Sequence, residues 1–361
     1  MRIPKVLIQL MIGLAILLWL LQLADTSNVL TNISMVDPLY LAAATIAFIA
    51  ASTMIAFALF VSLKSIGVKI RISNAILASF GGQLLSDVTP ARSGYFLTPF
   101  ILNKMDGTPN KSGMTCVVIT GAMNFLVKAT LSLIALAYFV RVLPLDPTIV
   151  NGLLAGISLL VAGGTGLLIL LWGKHLPEIF DNLKKIPVFG EALSRIVDAL
   201  NNLQEEAKKA NGSFGLVAFL VLLSVMANSA ALYFISESLG SGSPTLLDFM
   251  LITPLVSAFN FVPVTIAGLG IQETSYVILL VLLGVPLEKA VAFTLINRLL
   301  FMATDMIGLI PLIKIGFKSS MLNNAENIGF IKKFGGRKSN MERREPSSKT
   351  FLLQGPSDDG N

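Results

Sequence analysis

Six stretches of this 361-residue chain, about 4–24, 38–62, 113–140, 147–172, 213–239 and 289–316, are apolar runs. Each is near or above the ~20 residues an α-helix needs to cross a bilayer. Residues 38–62 and 147–172 contain no Asp, Glu, Lys or Arg at all. Composition agrees: 54% of residues are apolar and 13% are charged, about half the charged share of a soluble chain. Mean hydropathy is +0.77. The reading is an all-α, polytopic membrane protein built as one helical bundle.

Charge supplies the orientation. Segments 64–111, 173–211 and 317–361 hold most of the lysines and arginines, whereas 25–37 and 236–248 hold none. Cytoplasmic loops concentrate Lys and Arg, so the asymmetry reads as topology, not as a nucleic-acid footprint. Six full crossings then place both termini in the cytoplasm of a cell-membrane protein, with Arg141 the exception. The first run follows Arg2 and Lys5 and leads into ADTSN, which offers no small-x-small cleavage site, so it reads as a retained anchor. Cys116 and His175 are each single in the chain, which rules out an intrachain disulfide and argues against a His/Cys metal cluster. P-loop, GxSxG and HExxH motifs are missing. No cofactor and no nucleic-acid partner are expected.

Two segments resist reading as ordinary crossings: 72–103, ISNAILASFGGQLLSDVTPARSGYFLTPFILN, and 245–284, TLLDFMLITPLVSAFNFVPVTIAGLGIQETSYVILLVLLG. Each is apolar at its ends and interrupted by Pro, Gly and polar residues. Backbone that leaves the helix at membrane depth must line a cavity or be buried in protein. Both segments read as re-entrant hairpins, one from each side; two short crossings are the alternative for 245–284. An offset of 174 carries 38–62 onto 212–236, Ser93-Gly94 onto Ala267-Gly268, Thr120 onto Thr294 and Asn124 onto Arg298. Three crossings per half is an odd number, the arithmetic of an inverted repeat. Its halves would be about 1–140 and 147–316, inside a membrane domain of 1–316.

Between the halves, segment 173–211 repeats apolar residues at helical spacing (Leu193, Ile196, Val197, Leu200, Leu203). It reads as an amphipathic cytoplasmic insert packed on lipid or on the bundle ends. The tail 317–361 is basic and polar and is expected to be disordered.

Charged residues inside the apolar sequence carry the functional reading. A charge at the bilayer centre costs ~2.5–3.5 kcal/mol on insertion scales. Lys128, Arg298 and Asp305 fall within crossings, and Arg92 and Glu273 fall at the two breaks. They must face each other or water. In VTPARSGYF, Pro90 suits the first turn of a new helix, whose free N–H groups, with Arg92, would receive an anionic group such as a lipid phosphate. In AGLGIQET, Gly268 and Gly270 permit a tight turn, and Glu273 falls in the following first turn. Thr120, Asn124 and Lys128 make one polar stripe, and Thr294, Arg298 and Asp305 another; both are expected to face the hairpins. A purely structural alternative stands beside this, with Glu273–Arg298 or Asp305–Lys128 as ion pairs between helices.

At these residues the sequence resembles the lysylphosphatidylglycerol synthase transmembrane-region family, a flippase-like membrane domain also found in bacterial multiple peptide resistance factors. The segments that carry the likeness are LSDVTPARSGYFLTPFIL and AGLGIQETSYVILLVLLGVPLEKAVAFTLINRLLFMATDMIGLI, within a likeness over about 1–316. The family's Pro-small-Arg-x-Gly element matches Pro90, Ala91, Arg92 and Gly94. Its Gly-x-Gly-x-x-Glu element matches Gly268, Gly270 and Glu273, and its later arginine matches Arg298. Tyr95 stands where members often carry an acid, so the resemblance gives that position no proton- or cation-coupling role. No aminoacyl-transferase domain follows residue 316 in this sequence, so a transporter is expected rather than an enzyme.

The resemblance implies lipid translocation between leaflets, or service to lipid-modifying enzymes. The substrate-binding set expected is Arg92, Gly94, Lys128, Gly268, Gly270, Glu273, Arg298 and Asp305. Arg92 would hold a headgroup phosphate, and Lys128 and Arg298 would add positive field. Glu273 and Asp305 would balance charge or exchange a proton as the halves rock. Expected partners are membrane lipids, an anionic phospholipid or a polyprenyl-linked substrate, and a homodimer is compatible with all of this. The alternative is a membrane-embedded component or scaffold of a lipid-modifying or glycosyl-transferring enzyme.

Overall fold

The computed structural model describes residues 5–173, 190–242, 244–261 and 265–316. The predicted tail 317–361 and the first part of the insert lie outside the described residues. Thirteen α-helices are described: α1 Lys5–Leu23, α2 Thr26–Ser34, α3 Pro38–Ser65, α4 Ile72–Asp87, α5 Thr98–Asp106, α6 Asn110–Val142, α7 Pro147–Trp172, α8 Gly190–Lys209, α9 Phe214–Ser238, α10 Leu246–Ser257, α11 Ile271–Leu282, α12 Leu287–Asp305 and α13 Leu309–Ile315. Short 3-10 turns at Ser93–Leu97, Ala258–Phe261 and Met306–Gly308 join some of them. Among the described residues there is no β-strand.

Helices α3, α6, α7 and α9, and α12 with α13 taken together, are long and apolar enough to span a bilayer; α1 with α2 makes a sixth candidate if the bent pair counts as one. Local signals explain where they start. Asp37 and Asp146 each precede a proline at the first helical position, and each caps its helix by accepting a backbone N–H, Leu39 at 2.8 Å and Thr148 at 2.7 Å. The hydrogen bonds from Thr148 hold the Asp146 carboxyl below its ordinary range. Leu39, Ile46, Leu133, Ile134, Ile169, Phe219, Leu299 and Ile313 are exposed on the outside of the bundle. Helices apolar both inside and out belong in lipid.

The first run differs from a simple crossing. At Asp25 the chain bends by 89° between α1 and α2. Asp25 takes a positive φ of 53° and accepts Ser27 N–H at 3.1 Å, so it starts a new helix inside what composition reads as a loop. Val29 of α2 is fully buried against the bundle.

Helices α3 and α9 pack together more extensively than any other pair. Small buried residues at steps of seven, Ala44, Ala51 and Ala58, let the backbones approach, and Ser224 Oγ donates to the Ala51 carbonyl at 2.9 Å. The insert helix α8 lies against α6 and α7. Val197 and Leu200 are buried, and Glu206 accepts from Ser112 and Lys209. Gln204 donates to the Leu170 and Gly173 carbonyls that α7 leaves open at its end. The insert thus closes one end of the bundle.

Each of the two interrupted segments is a helix, a break and a second helix: α4 and α5 flank the first break, and α10 and α11 the second. Shifting the starts of α3, α4 and α5 by 174 gives 212, 246 and 272; α9, α10 and α11 start at 214, 246 and 271. The breaks touch each other through an antiparallel bridge between Pro90 and Ile266.

Candidate functional site

Both breaks are held in strained backbone. Ala91 and Arg92 sit at φ 51° and 55°, and Ala267 at 46°, a region that costs an L-residue ~1–2 kcal/mol. In the second break Gly268 and Gly270 also take positive φ, 73° and 82°. A Cβ at Gly270 would lie 2.7 Å from the Ile16 Cβ and 2.9 Å from the Gly13 carbonyl, so α1 could not approach any other residue there. Strain of this kind persists where surrounding structure over-determines it, and it gathers at ligand sites.

The breaks meet beside a cavity of about 250 Å³. Its walls come from mid-length positions of α3, α6 and α9, among them Ser52, Thr120, Asn124, Ser224 and Asn228, from the first break, from α10 and α11 that flank the second break, and from α12. Of the predicted set, Arg92, Lys128, Arg298 and Asp305 line it. Thr120, Asn124 and Lys128 share the wall as expected; Thr294 is buried instead and donates to the Val291 carbonyl, and Asn297 takes its place. Gln83, Gln272, Tyr95 and Tyr276 also line the cavity, none of them singled out from sequence as a site residue. Gly94, Gly268 and Gly270 contribute to the breaks without lining the cavity. A Cβ on Gly94 would strike the Leu85 carbonyl of α4.

Glu273 stands behind the wall, 2% exposed. Its Oε1 accepts from Arg298 Nε at 2.6 Å, and its Oε2 accepts from Gly270 N–H at 2.7 Å. Arg298 also donates to the Ala267 carbonyl at 3.5 Å. One guanidinium and one carboxylate therefore clamp the second break from both sides. The expected Glu273–Arg298 ion pair forms, and Glu273 does not line the cavity.

Arg92 is held more loosely. Its Nη2 reaches Asp87 Oδ1 at 3.5 Å, its Nε has no hydrogen-bond partner, and its guanidinium lies 4.9 Å from the centre of the Phe301 ring. Lys128 makes no ion pair or hydrogen bond among the described residues; the alternative Asp305–Lys128 pair does not form. The expected ring of free N–H groups after Pro90 is not found either. Ser93 N–H donates to the Pro90 carbonyl, Gly94 N–H to Thr89 Oγ1 at 2.7 Å, and Tyr95 N–H to the Arg92 carbonyl. These three N–H groups are therefore not free to meet an anion.

Sequence reasoning missed Asp87. It ends α4, five residues before Arg92, with its side chain 3% exposed. Its carboxyl faces that of Asp305, the last residue of α12. The signal was present: an acid in an apolar segment is as expensive as the five charges that were counted. The site therefore sets Arg92, Lys128 and Arg298 against Asp87, Glu273 and Asp305, three cations and three acids.

A bundle of apolar helices enclosing a charged cavity at two touching helix breaks defines a multi-pass membrane protein with an internal polar site. Within that class, the chain belongs to the lysylphosphatidylglycerol synthase TM region family, whose model matches residues 6–307. A search among curated proteins finds no match to the chain.

Proposed function

We propose that the chain binds a phospholipid or lipid-linked headgroup in this cavity and passes it between leaflets of the cell membrane. The observation that carries the reading is the positive charge on the wall: among the described residues Lys128 has no ion pair or hydrogen bond, and Arg92 leaves its Nε unpartnered. Charge-assisted hydrogen bonds from such groups to a phosphate are about twice as strong as neutral ones, and the phosphate would supply the partner both side chains lack. The cavity volume is at the small end for ligand sites, so it takes a headgroup and leaves acyl tails outside. Phe48, Phe125 and Phe301 on the same wall suit the glycerol region.

The family supports the reading, and so does the layout. We infer six crossings with cytoplasmic termini, two opposed re-entrant hairpins and an inverted repeat. The shared offset of helix starts and the bridge between the breaks support this, since inverted-repeat transporters bind substrate where discontinuous helices meet. Rocking of one half on the other would then open the cavity to each leaflet in turn.

Proteoliposomes with fluorescent anionic or zwitterionic lipid test it. Wild type should exchange label between leaflets, and Arg92→Ala should slow the anionic lipid about tenfold or more, the size of one lost charge-assisted hydrogen bond. Exchange no faster than in protein-free vesicles sinks the proposal. Chemically altered lipid would point to an enzyme instead.

A further inference from the structure

Asp305 is the least satisfied charged group described. It is 0% exposed, it borders the cavity, and among the described residues no donor reaches either carboxylate oxygen; its side-chain neighbour is another carboxyl, that of Asp87. Asp87, facing it from α4, leaves Oδ2 unpartnered as well. The approach is enforced by backbone: the turn after Asp305 packs Gly308 so closely on the Phe80 carbonyl of α4 that a Cβ would collide with it. A structural ion pair would have placed a cation between the two acids. Here the nearest, Arg92, touches Asp87 only at 3.5 Å.

We propose that Asp87 and Asp305 form a proton-binding carboxyl pair that loads the cavity together with an anionic headgroup. Two like charges facing each other in a dry wall are relieved when one takes a proton, and the pair then titrates as a unit. Charge balance links that proton to the cargo. With both acids ionised, the three cations and three acids in and behind the cavity wall sum to zero. With one proton on the pair the cavity carries +1, which a phosphodiester of charge −1 returns to zero. Without the proton, the same phosphodiester leaves an uncompensated charge inside the bundle, which is expensive. Proton and phosphate therefore bind together and leave together, and by linkage each raises the affinity for the other.

The facing groups are consistent with one proton rather than a metal cation. Arg92 from the first break acts on both acids, and Arg298 from α12 acts on Asp87. Lys128 from α6 feels Arg92, and Tyr95 and Tyr276 complete the titratable lining. Two carboxyls under the field of these cations offer a divalent ion too few ligands and too much repulsion. Glu273 is excluded from the role because Arg298 and Gly270 N–H already occupy its oxygens.

This inference rests on the headgroup reading above, and the test separates the two. Detergent-solubilised full-length protein is titrated with dihexanoyl phosphatidylglycerol in buffers of different ionisation enthalpy, which counts protons taken up on binding. Wild type should take up about one proton per headgroup, and affinity should rise up to about tenfold per pH unit as pH falls. Asp305→Asn and Asp87→Asn, near-isosteric changes, should still bind but with no proton uptake and a flat pH profile. Binding without proton uptake in wild type, uptake that survives in both variants, or uptake replaced by a sodium requirement at constant pH would each overturn the pair as a proton site. If the lipid does not bind at all, the headgroup reading fails. Infrared difference spectra of the lipid-free protein then decide the pair separately: a titrating protonated-carboxyl band lost in Asp305→Asn keeps it, and no such band removes it.

Discussion

At the break that follows α4, Arg92 reaches its acid at 3.5 Å, keeps an unpartnered Nε and lines the cavity. At the break that precedes α11, Glu273 is buried and gripped by Arg298 at 2.6 Å and by Gly270 N–H at 2.7 Å. Each break has a charged residue, Arg92 in the strained backbone itself and Glu273 in the helical turn that follows it, yet one charge is satisfied and the other is not. A satisfied charge holds a break in shape. A half-satisfied one keeps free energy in reserve for a ligand. On the proposed reading, the second break is the fixed frame and the first is the working surface.

Breaking the tight pair should have the largest effect. Glu273→Ala or Arg298→Ala leaves an uncompensated buried charge and should cost about 3–5 kcal/mol, seen as a lower melting temperature in detergent. Arg92→Ala should cost less, because its contact with Asp87 is 3.5 Å long and the acid it frees can share a proton with Asp305. Equal losses at the two breaks would erase the contrast between them. Gly308→Ala comes next. Its Cβ meets backbone, so the turn after α12 must move off α4 at about 1–3 kcal/mol, and with the two acids apart and both ionised, proton uptake should be lost and headgroup binding should weaken. The smallest effect on stability should come from Lys128→Met. Lys128 holds no ion pair or hydrogen bond among the described residues, so stability should stay within about 1 kcal/mol of wild type while anionic lipid exchange slows. A variant less stable than that would mean that Lys128 is part of the frame after all.

Much of the architecture was legible. Long apolar runs predicted the long helices to within a few residues, because covering a bilayer is a matter of length and composition alone. Pro90, Gly268 and Gly270 marked the breaks, since the torsions they impose or permit are properties of single residues. Other features were hidden. The turn at Asp25 looked like the end of a crossing, because a capping aspartate reads the same before a loop as before a new helix. The free N–H groups expected after Pro90 were consumed by Thr89 and by a 3-10 turn, which no periodicity reveals. Asp87 was legible in principle, as an acid in an apolar run, but nothing in its spacing pointed to Asp305, more than two hundred residues away.

The sequence by itself determined which segments are helical, where they must break, and which charged groups would have to be accommodated inside. Each of those follows from local torsion and from the cost of a charge in an apolar medium. Tertiary structure alone decided how the charges are shared out: Arg298 spent on Glu273, Arg92 and Lys128 left to the cavity, Asp305 turned toward Asp87. An ion pair is a relation of distance and direction between residues from different helices, and only packing fixes it. Gly308 set against Phe80 is one such decision, made by the approach of two backbones.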